Sequence, residues 1–241
     1  MEHSLLGEYE LTKLLRKDLL GDVVLSHHKF LKKPYALRLF SKAFTEDSTF
    51  LQRVEEKLAP FSLLEHPHLT KIHTLSEDQG SYFLVTEAHL EDSPPFVPLF
   101  YFLQQRELSE QEILDLLTQL ADVLDFIHEK KEMFHGGINL NTLLISERKE
   151  GLFLQVADFG LTYILGIRKY LSKLYTALFI SLNKEDFSLE KQEELLQTFL
   201  FLSPEQKKRD EKVDQSVDSY AFGVLAYLLL TKEFPEGIVV M

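Results

Sequence analysis

The sequence predicts an α+β chain in which a small antiparallel sheet precedes a larger, mainly helical part. Up to about residue 87 the apolar residues form short runs rich in alternation and in β-branched or aromatic side chains, which favours strands. After residue 98 they recur every three or four positions, which favours helices. The intervening segment EDSPPFVP (91–98) contains paired prolines that break regular structure. We therefore expect two domains, 1–90 and 91–241.

The predicted strands share alternating, β-branched or aromatic residues. They are YELTKLL (9–15), DVVLSHH (22–28), YALRLF (35–40) and SYFLVTE (81–87). One longer segment, from about Asp47 to Glu65, instead has apolar residues at helical spacing. A single amphipathic helix is therefore expected within the sheet region.

Two segments of the larger part predict its main helices. The first runs from Glu110 to Glu129, with Ser109 as N-cap and Glu112 at the third helical position of a capping box. The second contains the apolar run from residue 221 to 230, which is too short to span a bilayer and is typical of a buried core helix. The first helix places one apolar stripe toward the core, formed by Ile113, Leu117, Leu120, Leu124 and Ile127.

Composition and charge exclude several classes of partner. The chain has 241 residues, 45% of them hydrophobic, which suffices for one sizeable core. Its formal net charge of −12 opposes binding to nucleic acid or to anionic lipid. Without cysteine there is no disulfide and no thiolate metal site, and the acidic start MEHSLLGEYE is unlike a secretory signal. We expect a cytoplasmic protein that binds another protein, and export is compatible with the sequence.

Four segments occur in the order and with the spacing of a known family. They are LSEQEILDLLTQLADVLDFIHEKKEMFHGGINLNTLLI (108–145), VADFG (156–160), FLSPEQ (201–206) and VDSYAFGVLAYLLLT (217–231). From about Tyr9 to Glu236 the chain resembles the eukaryotic-type (Hanks-type) bacterial Ser/Thr protein kinases. The resemblance implies the two-lobed kinase fold, with a small antiparallel sheet lobe containing one helix. The helical lobe is expected to be incomplete, because the chain ends soon after the segment that resembles its central helix.

The resemblance implies that scaffold residues are retained. In the family, the catalytic-loop histidine and the DFG phenylalanine stack into a spine, and His135 and Phe159 stand at those positions. Asp218 stands where the family has an aspartate that accepts hydrogen bonds from backbone amides of the catalytic loop. The apolar residues that sandwich adenine have counterparts here as well. The implied nucleotide-contacting set is Gly21, Val23, Ala36, Arg38, Glu87, Leu143 and Asp158.

The phosphate-binding loop departs from the family pattern. Where the family has G-x-G-x-x-G-x-V, this chain has RKDLLGDV, so Arg16 and Asp18 replace two glycines and only Gly21 remains. A side chain at Asp18 blocks close approach of the backbone and places a negative charge beside phosphate. The resemblance therefore predicts weak ATP binding that depends little on magnesium.

The strand lysine of the family aligns with Arg38 of YALRLF. Arginine keeps the positive charge but replaces a compact ammonium with a planar fork. The family pairs this position with a glutamate on the small-lobe helix, and ungapped counting gives Lys57, with Glu56 one residue away. The partner of Arg38 is open at this stage.

The catalytic loop differs most from the family. The pattern H-R-D-L-K-x-x-N reads HGGINLNT, so Gly137 occupies the position of the catalytic base. Asn139 replaces the loop lysine, and Thr142, a weaker magnesium ligand than asparagine, replaces the metal-binding residue. Asp158 of the DFG motif is retained as the remaining candidate metal ligand. Because glycine cannot accept a proton, the resemblance implies a pseudokinase with no intact catalytic residue.

The segment between the DFG and SPE motifs, within residues 161–202, is long and apolar. LTYILGIRKYLSKLYTALF (161–179) and SLEKQEELLQTF (188–199) both have helical periodicity. Two interpretations stay open, packing against the chain's own helical lobe or docking of a protein partner.

Three functional interpretations follow. The first is a pseudokinase that acts as a binding or regulatory module. The second is an unusual active Ser/Thr protein kinase that transfers the ATP γ-phosphate to protein hydroxyls, with its base supplied from elsewhere. The third is an incomplete kinase fragment without activity of its own.

Overall fold

The computed structural model describes residues 4–46, 49–88, 95–130, 133–183, 188–208 and 213–235. The predicted boundary near residue 90 lies outside these residues. The chain divides into two compact units. The first unit comprises Met1–Glu65, Thr70–Pro95 and Tyr163–Leu165, and the second comprises His66–Leu69, Phe96–Thr162 and Gly166–Met241. Within the described ranges, no helix combines the length and apolarity needed to cross a membrane.

The first unit is built on a six-stranded antiparallel sheet with strand order β1-β2-β3-β4-β6-β5. Its buried face packs around Leu37, Phe83 and Val85. Two helices lie between β4 and β5, one of a single turn and one of 13 residues. The elements are β1 Ser4–Leu6, β2 Tyr9–Asp18, β3 Gly21–His28, β4 Pro34–Phe40, α1 Lys42–Thr45, α2 Phe50–Ser62, β5 Ile72–Asp78 and β6 Ser81–Glu87.

The helix α2 is shorter than the sequence predicts, since it was expected from about Asp47 to Glu65 and runs from Phe50 to Ser62. Asp47 lies outside the described residues. The C-terminal difference has a local cause, because Pro60 in the last turn lacks a backbone N–H and the helix tightens there. The N–H of Leu63 bonds to the carbonyl only three residues back, at 3.4 Å, and the helix ends.

The second unit contains a three-stranded antiparallel sheet of order β7-β8-β9 and the longer helices. The expected α+β class, with a sheet part followed by a helical part, is confirmed. The elements are β7 Val97–Pro98, α3 Leu99–Gln105, α4 Glu110–His128, β8 Leu143–Arg148, β9 Gly151–Val156, α5 Leu161–Leu165, α6 Ile167–Asn183, α7 Leu189–Leu200, α8 Pro204–Lys207 and α9 Ser216–Thr231.

The central helix α4 begins as predicted. The Ser109 hydroxyl accepts the N–H of Glu112, and the Glu112 carboxylate accepts the N–H of Ser109, which completes the capping box. One stripe residue was wrong, because Leu117 is only half-buried whereas Leu116 is 2% exposed. Both β9 and α9 pack on α4, which widens the buried face beyond a single stripe. The buried residues are Ile113, Leu116, Leu120, Val123, Leu124 and Ile127.

The helix α9, expected as a buried core helix, is buried on one side and exposed on the other. Ala221, Val224 and Leu225 lie in the core, whereas Tyr227 and Leu230 are 43% and 64% exposed. Packing on α4 explains the buried side. The role of α9 in the site comes from its first turn, which carries Asp218.

Candidate functional site

The catalytic-loop segment, residues 135–142 in the second unit, is held by Asp218. This residue is 1% exposed. Its Oδ2 accepts the backbone N–H of His135 at 2.7 Å, and its Oδ1 accepts the N–H of Gly136 at 2.8 Å. Nε2 of His128 lies 3.0 Å from Oδ2. The expectation that this aspartate holds the loop through backbone amides is confirmed, and its role is that of an anchor.

Gly137, which the sequence resemblance aligns with the catalytic base, has no side chain that could accept a proton. A Cβ atom at this residue would lie 3.1 Å from Cγ2 of Thr162, which is a tight contact. The Thr162 side chain is itself fixed, because it is 8% exposed and its hydroxyl donates to the carbonyl of His135 at 3.1 Å. The space beside Gly137 is therefore occupied by a packed side chain.

Thr142 and Asn139, which the sequence resemblance aligns with the metal ligand and the loop lysine, direct their polar atoms into the loop. Oγ1 of Thr142 accepts the N–H of Asn139 at 2.9 Å and donates to its carbonyl at 3.0 Å. Oδ1 of Asn139 accepts the N–H of Asn141 at 2.8 Å, and its Nδ2 donates to the carbonyl of Gly137 at 3.0 Å. Both side chains are 7% exposed. Their hydrogen bonds are made to the loop's own backbone.

The DFG motif follows β9 in the second unit. The Phe159 ring is 2% exposed, and its centroid lies 5.9 Å from that of His135, so the two spine residues pack together as predicted. Asp158 is half-buried and has a φ of +64°, a left-handed conformation that aspartate tolerates better than most residues. No three His, Asp or Glu side chains of the described ranges are grouped as a metal site requires.

In the first unit, RKDLLGDV forms a tight hairpin in which β2 ends at Asp18 and β3 begins at Gly21. Gly21 has a φ of +138°, and a Cβ atom there would lie 1.8 Å from the carbonyl oxygen of Leu39. Only glycine fits this approach of β3 to β4. The one glycine retained from the motif is therefore required by the sheet itself.

Arg38, on β4, is 2% exposed and forms a two-point ion pair with Asp18. Its Nη1 lies 2.7 Å from Oδ1 of the carboxylate, and its Nη2 lies 3.0 Å from Oδ2. Nε of Arg16 lies 2.8 Å from Oδ2, and the N–H of Leu20 donates to Oδ1 at 2.9 Å. Each oxygen of Asp18 thus has two partners, one of them on Arg38.

The pKa of Asp18 reflects this environment. Burial by itself raises the pKa of the carboxyl, but the positive charges of Arg38 and Arg16 oppose this effect. Hydrogen bonds from Arg38 and from the N–H of Leu20 also favour the ionised form. The net result holds the pKa of Asp18 well below its ordinary value, so the carboxylate stays charged at neutral pH.

The partner of Arg38 is the main feature that sequence reasoning missed. The two candidates, Glu56 and Lys57, are both exposed on α2, and Glu56 accepts a hydrogen bond from Gln52 at 2.9 Å. The carboxylate instead comes from Asp18 on the neighbouring hairpin. The sequence did contain a signal for this pair. The β2-β3 loop has Asp18 where the family has glycine, and β4 has Arg38 where the family has lysine. The planar fork of arginine matches the two oxygens of a carboxylate.

The other nucleotide-contacting candidates lie in both units. Val23 and Ala36 are half-buried on β3 and β4 of the first unit, and Glu87 is exposed at the end of β6. Leu143 begins β8 of the second unit and is fully buried. Their contact with a nucleotide stays a prediction.

The protein kinase domain model matches residues 9–237. The chain is 31% identical over 234 residues to the serine/threonine-protein kinase pkn1 of Chlamydia caviae, covering 96% of this chain and 35% of that protein. It is 25% identical over 233 residues to the carbon catabolite-derepressing protein kinase of Candida glabrata, covering 96% of this chain and 33% of that protein. The crystal structure of the Mycobacterium tuberculosis PknI kinase domain superposes with a TM-score of 0.69 at 19% identity, covering 98% of this chain and 79% of that one.

These matches agree with the order of motifs read from the sequence. The chain belongs to the protein kinase family, of the Hanks type. It spans about a third of the length of the curated relatives.

Proposed function

We propose that the chain is a pseudokinase domain, which keeps the kinase fold as a binding or regulatory module and does not transfer phosphate. The observation that carries the proposal is Gly137 at the base position, packed against Thr162. Phosphoryl transfer depends on positioned charges that act together. In the second unit Asn139 and Thr142, at the aligned positions of the loop lysine and the metal ligand, bond to the loop itself.

The residues present do not fit ATP with magnesium well. When bound in a kinase, this pair supplies the γ-phosphoryl group and the cation that neutralises its charge. Here the Thr142 hydroxyl is engaged in the loop, and Arg38 is paired with Asp18. The half-buried Val23 and Ala36 support a weak, largely metal-independent interaction with the apolar part of a nucleotide.

A single-turnover phosphorylation assay tests the proposal. We expect no transfer by wild type, and Gly137→Asp should stay within about tenfold of background because the missing parts act as a unit. General base catalysis alone contributes roughly 10² to 10⁴-fold, so a chain that had lost only its base would recover strongly. The same assay should include a combined variant. If phosphate transfer returns, we expect it only in that variant. Its substitutions are Arg16→Gly, Asp18→Gly, Arg38→Lys, Gly137→Asp, Asn139→Lys and Thr142→Asn.

Each outcome of that assay separates the interpretations. Robust transfer by wild type overturns the proposal and favours the active kinase with a base from elsewhere. Strong transfer by Gly137→Asp would show that only the base had been lost. A non-cooperative melt of wild type would instead favour the incomplete fragment.

The regulatory part of the proposal requires a protein-binding surface, and we assign it to the helical hairpin of α6 and α7 within residues 161–202. One face of α6 is buried along the helix through Leu171, Leu174 and Leu178. On its other side, Phe179 and Leu182 near the end of the helix are 70% and 51% exposed. Leu189 at the start of α7 is 82% exposed and is followed by the exposed Glu190. Apolar side chains beside carboxylates, in a chain of net charge −12, fit an amphipathic partner segment with basic flanks. We place this interaction in the cytoplasm.

A further inference from the structure

A hairpin tip in the first unit presents two adjacent apolar side chains to solvent. The tip is KFLKK (29–33), which connects β3 to β4. Phe30 and Leu31 are 71% and 62% exposed, and Lys29, Lys32 and Lys33 flank them. Adjacent exposed apolar side chains mark interaction sites, and the lysines fit a negatively charged partner. We call these five residues the basic-apolar tip.

His28 fixes the shape of the basic-apolar tip. Its Nδ1 accepts the backbone N–H groups of Phe30 and Leu31, each at 3.3 Å, and its Nε2 lies 3.3 Å from Oε2 of Glu8. The N–H of Lys29 donates to the carbonyl of Glu8 at 2.8 Å, which ties the tip to the turn between β1 and β2. Because the tip is already held in one conformation, little conformational entropy is lost when it binds.

The lysines of the tip place positive charge beside the apolar pair. Nζ of Lys29 lies 4.8 Å from the centroid of the Phe30 ring and 3.8 Å from Oε1 of Glu8. Lys32 and Lys33 are exposed. The carboxylate of Glu8 offsets one of the three positive charges, so the tip is locally basic.

The net charge of −12 is not carried by the part of the chain that contains this tip. The first 65 residues contain ten basic and ten acidic residues, so the whole acidic excess lies after residue 65. Charges further away than a Debye length of about 8 Å are largely screened at physiological salt. The expected opposition to anionic lipid, which rests on the charge of the whole chain, therefore does not hold at the tip.

We propose that the basic-apolar tip is a docking site for the surface of an anionic lipid bilayer. Phe30 and Leu31 enter the boundary between headgroups and acyl chains, and the lysine ammonium groups contact the lipid phosphates. A bilayer surface yields to a protruding pair of side chains, whereas a protein partner must supply a matching pocket. All three cations are lysines, which are point charges suited to the diffuse negative potential of a membrane.

This inference goes beyond the proposed function, because it concerns where the chain is held and not whether it transfers phosphate. Vesicle binding is measured on the full chain without nucleotide or protein partner. The exposed pair Phe179 and Leu182 on α6 is a second apolar surface. The variant Phe179→Asp with Leu182→Asp should therefore bind vesicles as wild type does.

Insertion of the tip can be observed directly, because the chain contains no tryptophan. Phe30→Trp places a single fluorescent reporter at the tip. Its emission should shift to shorter wavelength with phosphatidylcholine vesicles that contain about 30% phosphatidylserine, but not with pure phosphatidylcholine. The control Leu63→Trp, at an 81% exposed position of the same unit, should show no shift.

Cosedimentation with the same anionic vesicles tests the apolar contribution. Phe30→Ser with Leu31→Ser should reduce partitioning at least about tenfold, because the side chains that enter the interface are removed. The matched control is Leu51→Ser with Leu63→Ser, two exposed leucines elsewhere in the first unit, which should partition as wild type.

The same measurement tests the charge contribution. Lys32→Glu with Lys33→Glu should also reduce partitioning at least about tenfold, and raising salt from about 0.1 M to about 0.5 M should weaken wild-type binding. The matched control is Lys13→Glu with Lys57→Glu, which changes the net charge equally at two exposed positions of the first unit and should retain binding.

Three results overturn the inference. They are no binding of wild type to the anionic vesicles at about 0.1 M salt, equal losses in the tip variants and their controls, and equal emission shifts at the two tryptophan positions. Binding of poly-glutamate without binding of vesicles also overturns it, and assigns the tip to an acidic protein instead. If a tip variant fails to fold, the emission of Phe30→Trp alone decides.

Discussion

In both the catalytic-loop segment of the second unit and the RKDLLGDV hairpin of the first unit, polar side chains bond to other groups of the same unit. They do so by different interactions. In the catalytic loop, Asn139 and Thr142 form neutral hydrogen bonds around the family's own anchor, Asp218. In the hairpin, Asp18 forms a buried ion pair with Arg38 of the neighbouring strand β4, and neither of them is the family residue.

The two regions differ in whether one set of residues serves both structure and the family-aligned function. In the catalytic loop, the residue that anchors the backbone and the residue aligned with the base are different. Asp218 therefore still holds the backbone although Gly137 has no side chain to act as a base. In the first unit, the residues aligned with the family's phosphate-contacting positions also stabilise the sheet. Arg38 and Asp18 neutralise each other's charge within it. A change at one member of that pair therefore alters the stability of the sheet.

The largest effect is expected from Asp218→Ala. It leaves the buried N–H groups of His135 and Gly136 without their acceptor, which should lower the free energy of unfolding by about 4 kcal/mol. Urea denaturation followed by circular dichroism measures the change. The control Asp125→Asn removes an exposed carboxylate from α4 and should alter stability by less than about 0.5 kcal/mol. A loss below about 1 kcal/mol for Asp218→Ala would mean that the loop does not depend on this anchor.

The next effect is expected from Asp18→Asn, which removes the Asp18 carboxylate from its ion pair with the buried Arg38. Because the Asp18 side chain is 14% exposed, the loss should be at the low end for a buried pair, about 3 kcal/mol at pH 7. The control Asp22→Asn, whose partner Lys17 is largely exposed, should change stability by about 0.5 kcal/mol or less.

The stability difference between wild type and Asp18→Asn should also depend on pH. The carboxyl has a lower pKa in the folded chain than its unfolded value of about 3.9, since Arg38 and Arg16 favour its charged form. As pH falls, the unfolded chain therefore binds the proton first. The difference should be constant above about pH 5 and shrink below about pH 4. A difference that persists unchanged into strong acid would show that charge is not its source.

The smallest effect on stability is expected from Phe179→Asp combined with Leu182→Asp on α6. Both side chains are at least half exposed, so unfolding should change by about 0.5 kcal/mol or less, while partner binding is lost. The control is Leu114→Asp, at a 58% exposed position on α4. Proteins captured by wild type and by this control, but not by the double variant, define the partner. A stability loss above about 1 kcal/mol would instead identify the segment as part of the chain's own core.

Sequence patterns predicted the elements of the fold well where a single period operates over many residues. The start of α4 followed from Ser109 and Glu112, because a capping box is a contact between residues three apart. The buried face of α4 was less predictable, and Leu116 took the place of Leu117. Which positions are buried depends on where β9 and α9 pack, and that is set by the whole unit.

The sequence by itself determined what the site lacks. Gly137 cannot accept a proton in any conformation, and Arg38 carries a positive charge wherever it lies, because these properties belong to the side chains. Only the tertiary structure decided which group Arg38 binds. Asp18 lies 20 residues earlier in the chain, and it reaches Arg38 because the register of β2, β3 and β4 brings the two together across Gly21. Electrostatic partners are fixed by distances in space, which residue order along the chain does not supply.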